Sequence, residues 1–435
     1  MNRSDSERIA LVLEKMGYKK TSQIEGIDLL VVNMCSVRQS AVDRVYGNIR
    51  NFKKLKNKNL KTILTGCIIE ADLKKFKDHF DYILSIKALP YWPEILNPAG
   101  EQVPYGAGKE KYFYYPEPRN EKFNKKLDAN YLKEQPKYSN NFSAFVPIMT
   151  GCNNFCTFCV VPYVRGPEIS RKAKEIVSET ENLIKNNFKE IWLLGQNVNS
   201  YKDRNVNFPK LLKQINNIRG NFWIRFTSSH PKDLSDELIN AMVECEKVTE
   251  YLNLPVQSGD NEILKKMNRP YTIEKYKEII EKIREKIPDI ALSTDVIVGF
   301  PGETKKQFEN TANLFKEVKY DMAYIAKYSP RPGTAAAKFE DNVSPQEKER
   351  RWRILSGILK QTALENNKKY IGKEVEVIVE KQKTRNKKQV YFGKTRTYKT
   401  IKSQVSSLKL QDLVGHFTKV KITDCSPWGL KGILK

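Results

Sequence analysis

The chain has 435 residues, enough for two or three domains with cores of their own. Its 76 Lys and Arg residues against 51 Asp and Glu residues give a formal net charge of +25, which favours a polyanionic partner such as nucleic acid, unless a lysine-rich proteome is the cause. No apolar run approaches the roughly 20 residues of a membrane span, and no secretion signal opens the chain. We therefore expect a cytoplasmic protein without a membrane segment, and the odd number of cysteines, seven, argues against a disulfide framework.

The first 96 residues alternate between helical and extended patterns. A first helix is predicted to begin at a capping box formed by Ser4 and Glu7. Apolar runs then predict three strands separated by two helices, the strands at residues 27–32, 60–64 and 82–84 and the helices at residues 36–52 and 71–78. This alternation predicts a parallel sheet with right-handed crossovers.

Two cysteines, Cys35 and Cys67, each follow a predicted strand of this sheet. The ends of neighbouring parallel strands lie at one rim, where ligands bind. The two thiols therefore either form one site or are unrelated buried residues, since free cysteine is often a small core residue.

Residues 97–141 carry five prolines and the aromatic run Tyr112-Phe113-Tyr114-Tyr115, and they are predicted to be a linker. Aromatic residues among lysines either stack on bases or form a belt packed on the protein surface.

The segment from Thr150 to Cys159 holds three cysteines with the spacing C-x3-C-x2-C, directly after an apolar strand at residues 145–149. Thiolates are soft ligands that select zinc, copper(I) or iron–sulfur clusters. A zinc site needs a fourth Cys or His nearby, and the three histidines, at positions 79, 230 and 416, are remote in the sequence. The spacing therefore favours a 4Fe–4S cluster with one iron left open for a cofactor.

The strand–helix alternation repeats six times between residues 142 and 367 and predicts a partial barrel with its chemistry at the carboxyl ends of the strands. The six strands are predicted at residues 145–149, 191–194, 222–226, 251–254, 291–298 and 322–328. Polar or glycine residues at or after several strand ends predict a cofactor and substrate cavity; they include Gly195, Gln196, Asn197, the run Ser228-Ser229-His230-Pro231, Gln257, Ser293 and Asp295.

The last part of the chain, residues 368–435, is predicted to be a small β-barrel, because apolar residues alternate with polar ones at residues 375–380 and 419–423. From residue 371 onward it contains 15 Lys and Arg residues and 5 Asp and Glu residues, which favours RNA binding. The basic residues Lys381, Lys383, Arg385, Lys387 and Lys388 are predicted at a hairpin tip. Four aromatic residues either stack on bases or belong to the core: Tyr391, Phe392, Tyr398 and Trp428.

These motifs together resemble the methylthiotransferase family of the radical S-adenosylmethionine (SAM) superfamily. The resemblance rests on the cysteine loop with Phe158 before its last cysteine, on VVPYVRGPEISR at residues 160–171, on NMCSVR at residues 33–38 and on YSPRPGT at residues 328–334. The VVPYVRG run is similar to the branch that acts on isopentenyl-modified adenosine in tRNA. The resemblance implies an α/β fold with an N-terminal methylthiotransferase domain (residues 1–96), a linker (97–141), a partial (β/α)6 radical SAM domain (142–367) and an all-β TRAM domain (368–435).

The resemblance also implies cofactors. Cys152, Cys156 and Cys159 would hold the 4Fe–4S cluster that binds SAM. Phe158 and the strand-end residues Gly195, Gln196, Asn197, Gln257, Ser293 and Asp295 would contact the cofactor. Cys35 and Cys67 would hold an auxiliary 4Fe–4S cluster with a third cysteine, which the family carries in a Gly-Cys-Gln-Met-Asn motif just before Ser-Asp-Ser-Glu.

This chain begins at Met1-Asn2-Arg3-Ser4-Asp5-Ser6-Glu7 and does not contain that third cysteine. We expect that the start is mis-assigned or the chain truncated. The alternative is that the auxiliary cluster is held by two cysteines and another group, or is absent.

The implied reaction cleaves one SAM to a 5′-deoxyadenosyl radical, which abstracts the hydrogen at C2 of adenosine. Sulfur from the auxiliary cluster, methylated by a second SAM, is then inserted at that carbon. The product is a 2-methylthio adenosine beside the anticodon. The implied partners are tRNA, an electron donor such as flavodoxin or ferredoxin and a sulfur source, with the protein a monomer. Arg165 is assigned to RNA, and Arg165, Arg171 and Arg331 either contact phosphate or the SAM carboxylate or form internal pairs.

Three other interpretations stay open. The chain could be a methylthiotransferase for threonylcarbamoyladenosine in tRNA or for a ribosomal protein, a radical SAM enzyme with another outcome, or a non-catalytic RNA-binding protein. The basic C-terminal segment favours an RNA substrate.

Overall fold

The computed structural model describes residues 1–23, 25–55, 60–96, 112–113, 130–385, 388–405 and 412–434. The chain divides into two compact units. The first contains Met1–Ser139, Met149–Arg171 and Ser329–Lys338, and the second contains Asn140–Ile148, Lys172–Tyr328 and Phe339–Lys435. The cysteine loop therefore shares a unit with the N-terminal sheet, and the C-terminal β-barrel shares one with the parallel strands. The domain borders at residues 96, 141 and 367 stay predictions.

The first unit is built on a parallel four-stranded sheet, as the alternating pattern predicts. Its strands run in the order β1 (Leu29–Cys35), β2 (Lys61–Cys67), β3 (Tyr82–Leu84) and β4 (Tyr112–Phe113). Strand β4 lies in the predicted linker and pairs with β3. The helices of this part are Asn2–Lys15, Gln39–Leu55, Glu70–Phe76 and Trp92–Leu96, with 3-10 turns at Ile86–Tyr91 and Asn130–Lys133.

Both faces of this sheet are covered by apolar side chains. Trp92 and Tyr131, each fully buried, pack with Ile63 on one face. Val42 and Phe76 pack with Leu64 on the other. Each such side chain contributes about 1.5–3 kcal/mol of burial free energy. Tyr131 belongs to the predicted linker, so part of that linker is core.

The predicted capping box at Ser4 is wrong. The first helix starts at Asn2, and Ser4 and Glu7 lie inside it. The Ser4 hydroxyl accepts a hydrogen bond from Arg8 at 2.5 Å, and the Glu7 carboxylate accepts one from the Ser139 hydroxyl at 2.7 Å. The Asn2 side chain donates to the carbonyl of Met34 at 3.1 Å, which fixes the first turn on β1. Contacts distant in the sequence thus hold this helix in place.

The second unit contains the six predicted parallel strands. After β5 (Ser143–Pro147), the chain forms the short pair β6 (Met149–Thr150) and β7 (Ile169–Ser170), which belongs to the first unit. It continues through β8 (Glu190–Leu194), the hairpin β9 (Lys202–Asp203) and β10 (Val206–Asn207), then β11 (Trp223–Phe226), β12 (Tyr251–Asn253), β13 (Ala291–Val298) and β14 (Met322–Lys327). The orders are β11-β8-β5 and β12-β13-β14, and a parallel bridge from Ile224 to Val248 lies between the two sheets.

Helices alternate with these strands, as their amphipathic patterns predict. They span Ala173–Lys185, Phe208–Asn216, Asp236–Glu244, Asn261–Lys266, Ile273–Lys286, Lys305–Val318 and Pro345–Lys368. The helix Lys305–Val318 starts at a capping box formed by Thr304 and Gln307. The result is an open set of six βα units, whose carboxyl-end loops carry the polar runs noted in the sequence.

The C-terminal segment closes into a five-stranded barrel in the order β15 (Glu374–Arg385), β16 (Lys388–Thr395), β17 (Thr400–Val405), β19 (Gly429–Leu434) and β18 (Phe417–Ser426). Its interior is filled by alternating residues such as Val377, Val379 and Ile401, which confirms the predicted period of two. Arg225 and Arg396 join this barrel to the parallel strands: the Arg225 guanidinium donates to the carbonyls of Thr395 and Arg396 at 2.8 and 2.7 Å.

The structure distinguishes core packing from possible base stacking for the four aromatic residues of the C-terminal segment. Tyr391 is buried in the barrel core, and Tyr398 packs its ring 5.1 Å from that of Trp192. Phe392 is half-buried, whereas Trp428 is 59% exposed. Trp428 is therefore the aromatic residue of this set that a base can reach. In the part of the chain that the structure describes, no helix has the length and apolar character needed to cross a membrane.

Candidate functional site

The three-cysteine loop leaves β6 and returns to β7. Cys152, Cys156 and Cys159 are not disulfide-bonded, and each is partly exposed. The Cys152 amide donates to the carbonyl of Gly166 at 3.2 Å, and the Cys159 amide donates to that of Cys156 at 2.9 Å. These bonds hold the loop against the chain that follows it, so all three sulfurs belong to one short, pinned segment.

Gly151 is the residue that allows this loop to turn. Its φ is +82°, and a β-carbon there would lie 1.9 Å from the carbonyl oxygen of Pro167. Only glycine fits both the positive φ and the close backbone approach.

We therefore predict that Gly151→Ala displaces the cysteine loop. The variant is expected to lose about 1–3 kcal/mol of stability, because strain at a positive φ adds to a backbone clash. It should also bind less iron after anaerobic reconstitution. Gly357→Ala is the matched control, since that glycine lies inside the helix Pro345–Lys368 with nothing within 4 Å of an added β-carbon. Iron per chain and thermal unfolding of both variants measure the difference; equal iron content would contradict it.

The donor set of the loop suits an iron–sulfur cluster. The sulfur of Cys152 accepts a hydrogen bond from the Asn154 side-chain amide at 3.6 Å, and the sulfur of Cys159 accepts one from the Val161 backbone N–H at 3.5 Å. Hydrogen bonds to thiolate sulfurs of this kind tune such clusters. Burial raises the pKa of the Cys152 thiol, so without a ligand the protonated thiol is favoured, and binding iron releases its proton.

Among the described residues, no three Cys, His, Asp or Glu side chains converge as ligands of a single metal ion. A 4Fe–4S cube offers a separate iron to each thiolate, so its ligands need not converge on one point. Three soft donors on one loop therefore fit the cube better than one zinc ion.

Aromatic side chains surround this loop. Phe158, predicted to contact the cofactor, is half-buried. Phe155 and Tyr163 are 54% and 55% exposed, and their rings make an edge-to-face contact at 6.2 Å. Sequence reasoning missed this pair, because the contact depends on Phe155 adopting a φ of 45°, which no local pattern indicates.

Cys35 and Cys67 end the neighbouring strands β1 and β2 and are paired in register. Gly66, at φ +110°, makes this possible, since a β-carbon there would lie 2.1 Å from the Met34 carbonyl oxygen. The hydrogen bond from Cys67 lowers the pKa of Cys35 to about 6, and that same bond together with burial raises the pKa of Cys67. The structure therefore places the two thiols together, as one of the two interpretations of the sequence predicted. The lowered pKa of Cys35 favours its thiolate, the form of cysteine that binds a metal.

The sequence-based assignment of Arg165 to RNA is wrong. The residue is 2% exposed. Its guanidinium donates to the Cys67 sulfur at 3.0 Å, the Tyr131 hydroxyl at 3.0 Å and the Asp5 carboxylate at 2.6 Å. Burial alone would lower the pKa of Arg165, but Asp5 and the Cys67 sulfur raise it above its usual range. A phosphate cannot reach the buried guanidinium, so Arg165 is part of the site that contains Cys35 and Cys67.

Arg331 also forms an internal pair. It is 5% exposed and lies 3.3 Å from the carboxylate of Asp72, which also accepts the Ser36 hydroxyl at 2.5 Å. Gln39 accepts a further hydrogen bond from Arg331. Of the two roles left open for this residue, the internal pair is the one that the structure contains.

In the second unit, several predicted cofactor residues lie at the carboxyl ends of the parallel strands. Gly195, Gln196 and Asn197 follow β8, and the Asn197 amide donates to Asp233 at 2.6 Å. Gln257 has a φ of 68°, and its backbone bonds to Asp295 and Ile297 of β13. Strain of this kind is concentrated at functional sites.

Asp295 and Ser293, two predicted cofactor residues of β13, differ in their burial and in their hydrogen bonds. The Asp295 carboxylate is half-buried and accepts the Asn253 amide at 3.1 Å. Ser293 is fully buried, and its hydroxyl bonds to Tyr251 at 2.8 Å and to the Asn253 amide at 3.1 Å. The predicted cofactor contact of Ser293 therefore has no support here, since its neighbours already satisfy the hydroxyl.

Ser229 and His230 follow β11 and belong to the run predicted from the sequence to line a cofactor and substrate cavity. Both are buried, and neither the Ser229 hydroxyl nor the His230 Nε2 has a hydrogen-bond partner. The His230 Nδ1 accepts the Lys232 backbone N–H at 3.2 Å, so Nε2 carries the proton in the neutral ring. The polar run SSHP after a strand was the only local signal.

Burial lowers the pKa of His230 to about 2, with Arg269 and Lys232 adding to the effect. Below about pH 6.5, His230 takes up a proton in the unfolded chain but stays neutral in the folded protein. Its contribution to the free energy of unfolding is therefore complete above that pH and falls by up to about 1.4 kcal/mol per pH unit below it. Urea unfolding between about pH 7 and pH 5 measures this slope. His230→Asn should reduce the slope, whereas His416→Asn, at an exposed histidine, should not. An equal slope in both variants would refute the assignment.

The predicted RNA-binding lysines lie on the hairpin of β15 and β16. Lys381 and Lys383 are exposed, and Arg385 pairs with Lys388 at the strand ends. Lys387 lies outside the described residues. The RNA contact of these residues stays a prediction.

Comparison with known proteins places these features in a family. Residues 146–315 match the radical SAM superfamily model, and residues 1–86 match the model described as Uncharacterized protein family UPF0004. A tRNA-2-methylthio-N(6)-dimethylallyladenosine synthase from Clostridium botulinum is 43% identical, covering 99% of this chain and 94% of the relative. The enzyme of the same name from Thermoanaerobacter sp. is 41% identical, covering 100% and 90%.

Among solved structures, the radical S-adenosylmethionine methyltransferase TsrM from Kitasatospora setae, with cobalamin and a [4Fe-4S] cluster bound, has a TM-score of 0.50 at 14% identity. The match covers 76% of this chain and 68% of that one and supports the fold alone. The sequence relatives carry the assignment: this chain belongs to the family of tRNA-2-methylthio-N(6)-dimethylallyladenosine synthases.

Proposed function

We propose that the protein converts N6-isopentenyladenosine next to the tRNA anticodon to its 2-methylthio derivative. One SAM serves as the source of the radical and a second as the methyl donor. The observation that carries the proposal is the pinned loop with three cysteines outside any disulfide, in a chain 43% identical to an enzyme named for this product over 99% of its length.

Cys152, Cys156 and Cys159 would hold the 4Fe–4S cluster of the radical SAM superfamily. When bound, that cluster supplies the single electron that cleaves SAM. The protein residues fix the geometry. Gly151 allows the turn, and the Cys152–Gly166 bond pins the loop. The strand-end residues Gly195, Gln196, Asn197, Gln257 and Asp295 are the candidates for positioning the cofactor.

Cys35 and Cys67 would be ligands of the auxiliary cluster that carries the sulfur. They are two soft donors in register at one rim, and the described residues place no third Cys, His, Asp or Glu with them in one metal group. Arg165 would hold the Cys67 sulfur in position through its contact at 3.0 Å.

The substrate would be tRNA, held by exposed lysines such as Lys381 and Lys383 and by stacking on Trp428. The RNA contacts predicted from the sequence for Arg385, Lys387 and Lys388 are part of this proposal. We also propose an electron donor such as flavodoxin or ferredoxin, a sulfur source, a monomeric state and a place in the cytoplasm with the tRNA.

Mass spectrometry of tRNA nucleosides tests the proposal. A strain deleted for this gene should lose 2-methylthio-N6-isopentenyladenosine and accumulate the unthiolated nucleoside, and the wild-type gene should restore the product. Loss of the methylthio derivative of threonylcarbamoyladenosine instead would assign the protein to the other tRNA branch. Unchanged tRNA nucleosides would refute an RNA-modifying role.

A further inference from the structure

A group of buried polar atoms without partners lies at the carboxyl ends of β8 and β11. We call residues 195–201 and 228–233 the β8–β11 loop pair. Its unpartnered atoms are Gln196 Oε1, Asn197 Oδ1, both amide atoms of Asn199, Ser229 Oγ and His230 Nε2. Asn197, Ser229 and His230 are 2%, 4% and 5% exposed. An unpaired buried polar group costs about 1–3 kcal/mol, so a group of six calls for an explanation.

The two loops are joined directly. Strands β8 and β11 are parallel neighbours, with Leu193 opposite Phe226. The Val198 N–H donates to the Ser228 carbonyl at 3.2 Å, and the Asn197 amide donates to Asp233 at 2.6 Å. The unpartnered atoms therefore sit on one continuous piece of the strand-end rim.

The backbone of this rim is also strained. Ser228 has a φ of 67°, a conformation that non-glycine residues rarely adopt. Such strain persists where the surrounding structure fixes it, and it is most frequent at ligand sites. Strain and unpaired atoms are independent observations that point to the same place.

The chemistry of the group indicates its ligand. It contains donors, such as the protonated Nε2 of His230, and acceptors, such as the Asn197 oxygen, and none of these groups is charged. A single water makes about three hydrogen bonds, fewer than six atoms require. An uncharged partner that both donates and accepts along one edge, as a nucleoside does, fits the set.

We propose that the β8–β11 loop pair forms a subsite that binds the hydrogen-bonding edge of an adenosine moiety. This inference rests on the proposed function, in which two molecules carry adenosine: SAM and the target nucleotide. Within the predicted cavity, the proposal gives Ser229 and His230 a specific role as hydrogen-bonding residues. The loops close over these atoms, so binding includes opening of the rim.

Two variants test the subsite without disturbing the fold. Ser229→Ala removes a hydroxyl that has no partner. His230→Asn removes Nε2 but keeps an oxygen that can accept the Lys232 N–H. The controls are Ser178→Ala and His416→Asn, at exposed positions of the same unit.

The full-length protein, reconstituted without oxygen, is titrated with two probes: SAM, and an anticodon stem-loop carrying N6-isopentenyladenosine. We expect each subsite variant to bind one probe about tenfold more weakly, since a ligand group then loses its hydrogen bond. The thermal midpoint of Ser229→Ala should not fall. Weaker stem-loop binding alone identifies the target nucleotide as the occupant, and weaker SAM binding alone identifies the cofactor.

If both variants bind both probes as the wild type does, the subsite is refuted and the unpaired atoms are a buried water site. Failure of the proposed function looks different: the wild type itself then forms no 2-methylthio product on the stem-loop. The two ideas therefore fail on separate measurements.

Discussion

Replacing Cys152 with serine should abolish reductive cleavage of SAM and remove about four irons per chain. A serine oxygen is a hard ligand and is protonated at neutral pH, so it does not replace a soft thiolate at an iron. The same result is expected for Cys156 and Cys159, because the three sulfurs share one pinned loop. Iron analysis after anaerobic reconstitution and the yield of 5′-deoxyadenosine under dithionite measure it.

Cys425→Ser is the matched control, since Cys425 is a free, half-buried thiol of the C-terminal barrel. It should keep the wild-type iron content and SAM cleavage. A colourless wild-type protein that binds one zinc in the loop would remove the basis of the enzymatic proposal, as would full SAM cleavage by the Cys152 variant.

The same measurements resolve the auxiliary cluster. About eight irons per wild-type chain indicate two clusters and about four indicate one. If there are two, Cys35→Ser should retain SAM cleavage and lose methylthiolation, because Cys35 lies with Cys67 at the rim of β1 and β2. The two thiol sets thus separate radical formation from sulfur transfer.

The sequence predicted the strands of the second unit well, and the reason is physical. Buried parallel strands need apolar residues on both faces, so the apolar run at residues 191–194 stands out in the sequence, and it forms all but the first residue of β8, Glu190–Leu194. The helix Ile273–Lys286 is equally clear, because Thr272 caps it and one face is apolar. Elements defined by local patterns are the ones a sequence reveals.

The partners of polar residues could not be read in the same way. Arg165 follows the cysteine loop in the sequence and suggested a surface cation, yet its partners Asp5 and Cys67 come from distant segments. Ser293 was predicted to contact the cofactor, yet Tyr251 and Asn253 satisfy its hydroxyl. Such roles are decided by tertiary neighbours, which leave no periodic signal.

Arg165→Met should lower the free energy of unfolding by about 3–5 kcal/mol, because it leaves the Asp5 carboxylate buried without its partner. Asp5 is fully buried, and its second oxygen has no hydrogen bond even in the intact protein. Urea unfolding of the iron-free protein measures the loss. Arg44→Met, at an exposed arginine of the same unit, is the control and should change stability by less than about 0.5 kcal/mol.

The double variant Arg165→Met/Asp5→Leu separates two roles of this arginine. Replacing a buried ion pair by apolar residues of similar size is often neutral, so most of the lost stability should return. The contact from the guanidinium to the Cys67 sulfur, 3.0 Å in the intact protein, does not return. If Arg165 positions that sulfur, the double variant is stable but holds less auxiliary iron, and SAM cleavage at the Cys152 loop is unaffected. Wild-type iron content in this stable variant would show instead that Arg165 contributes only to the packing around Asp5, and that Cys67 binds its ligand without the arginine contact.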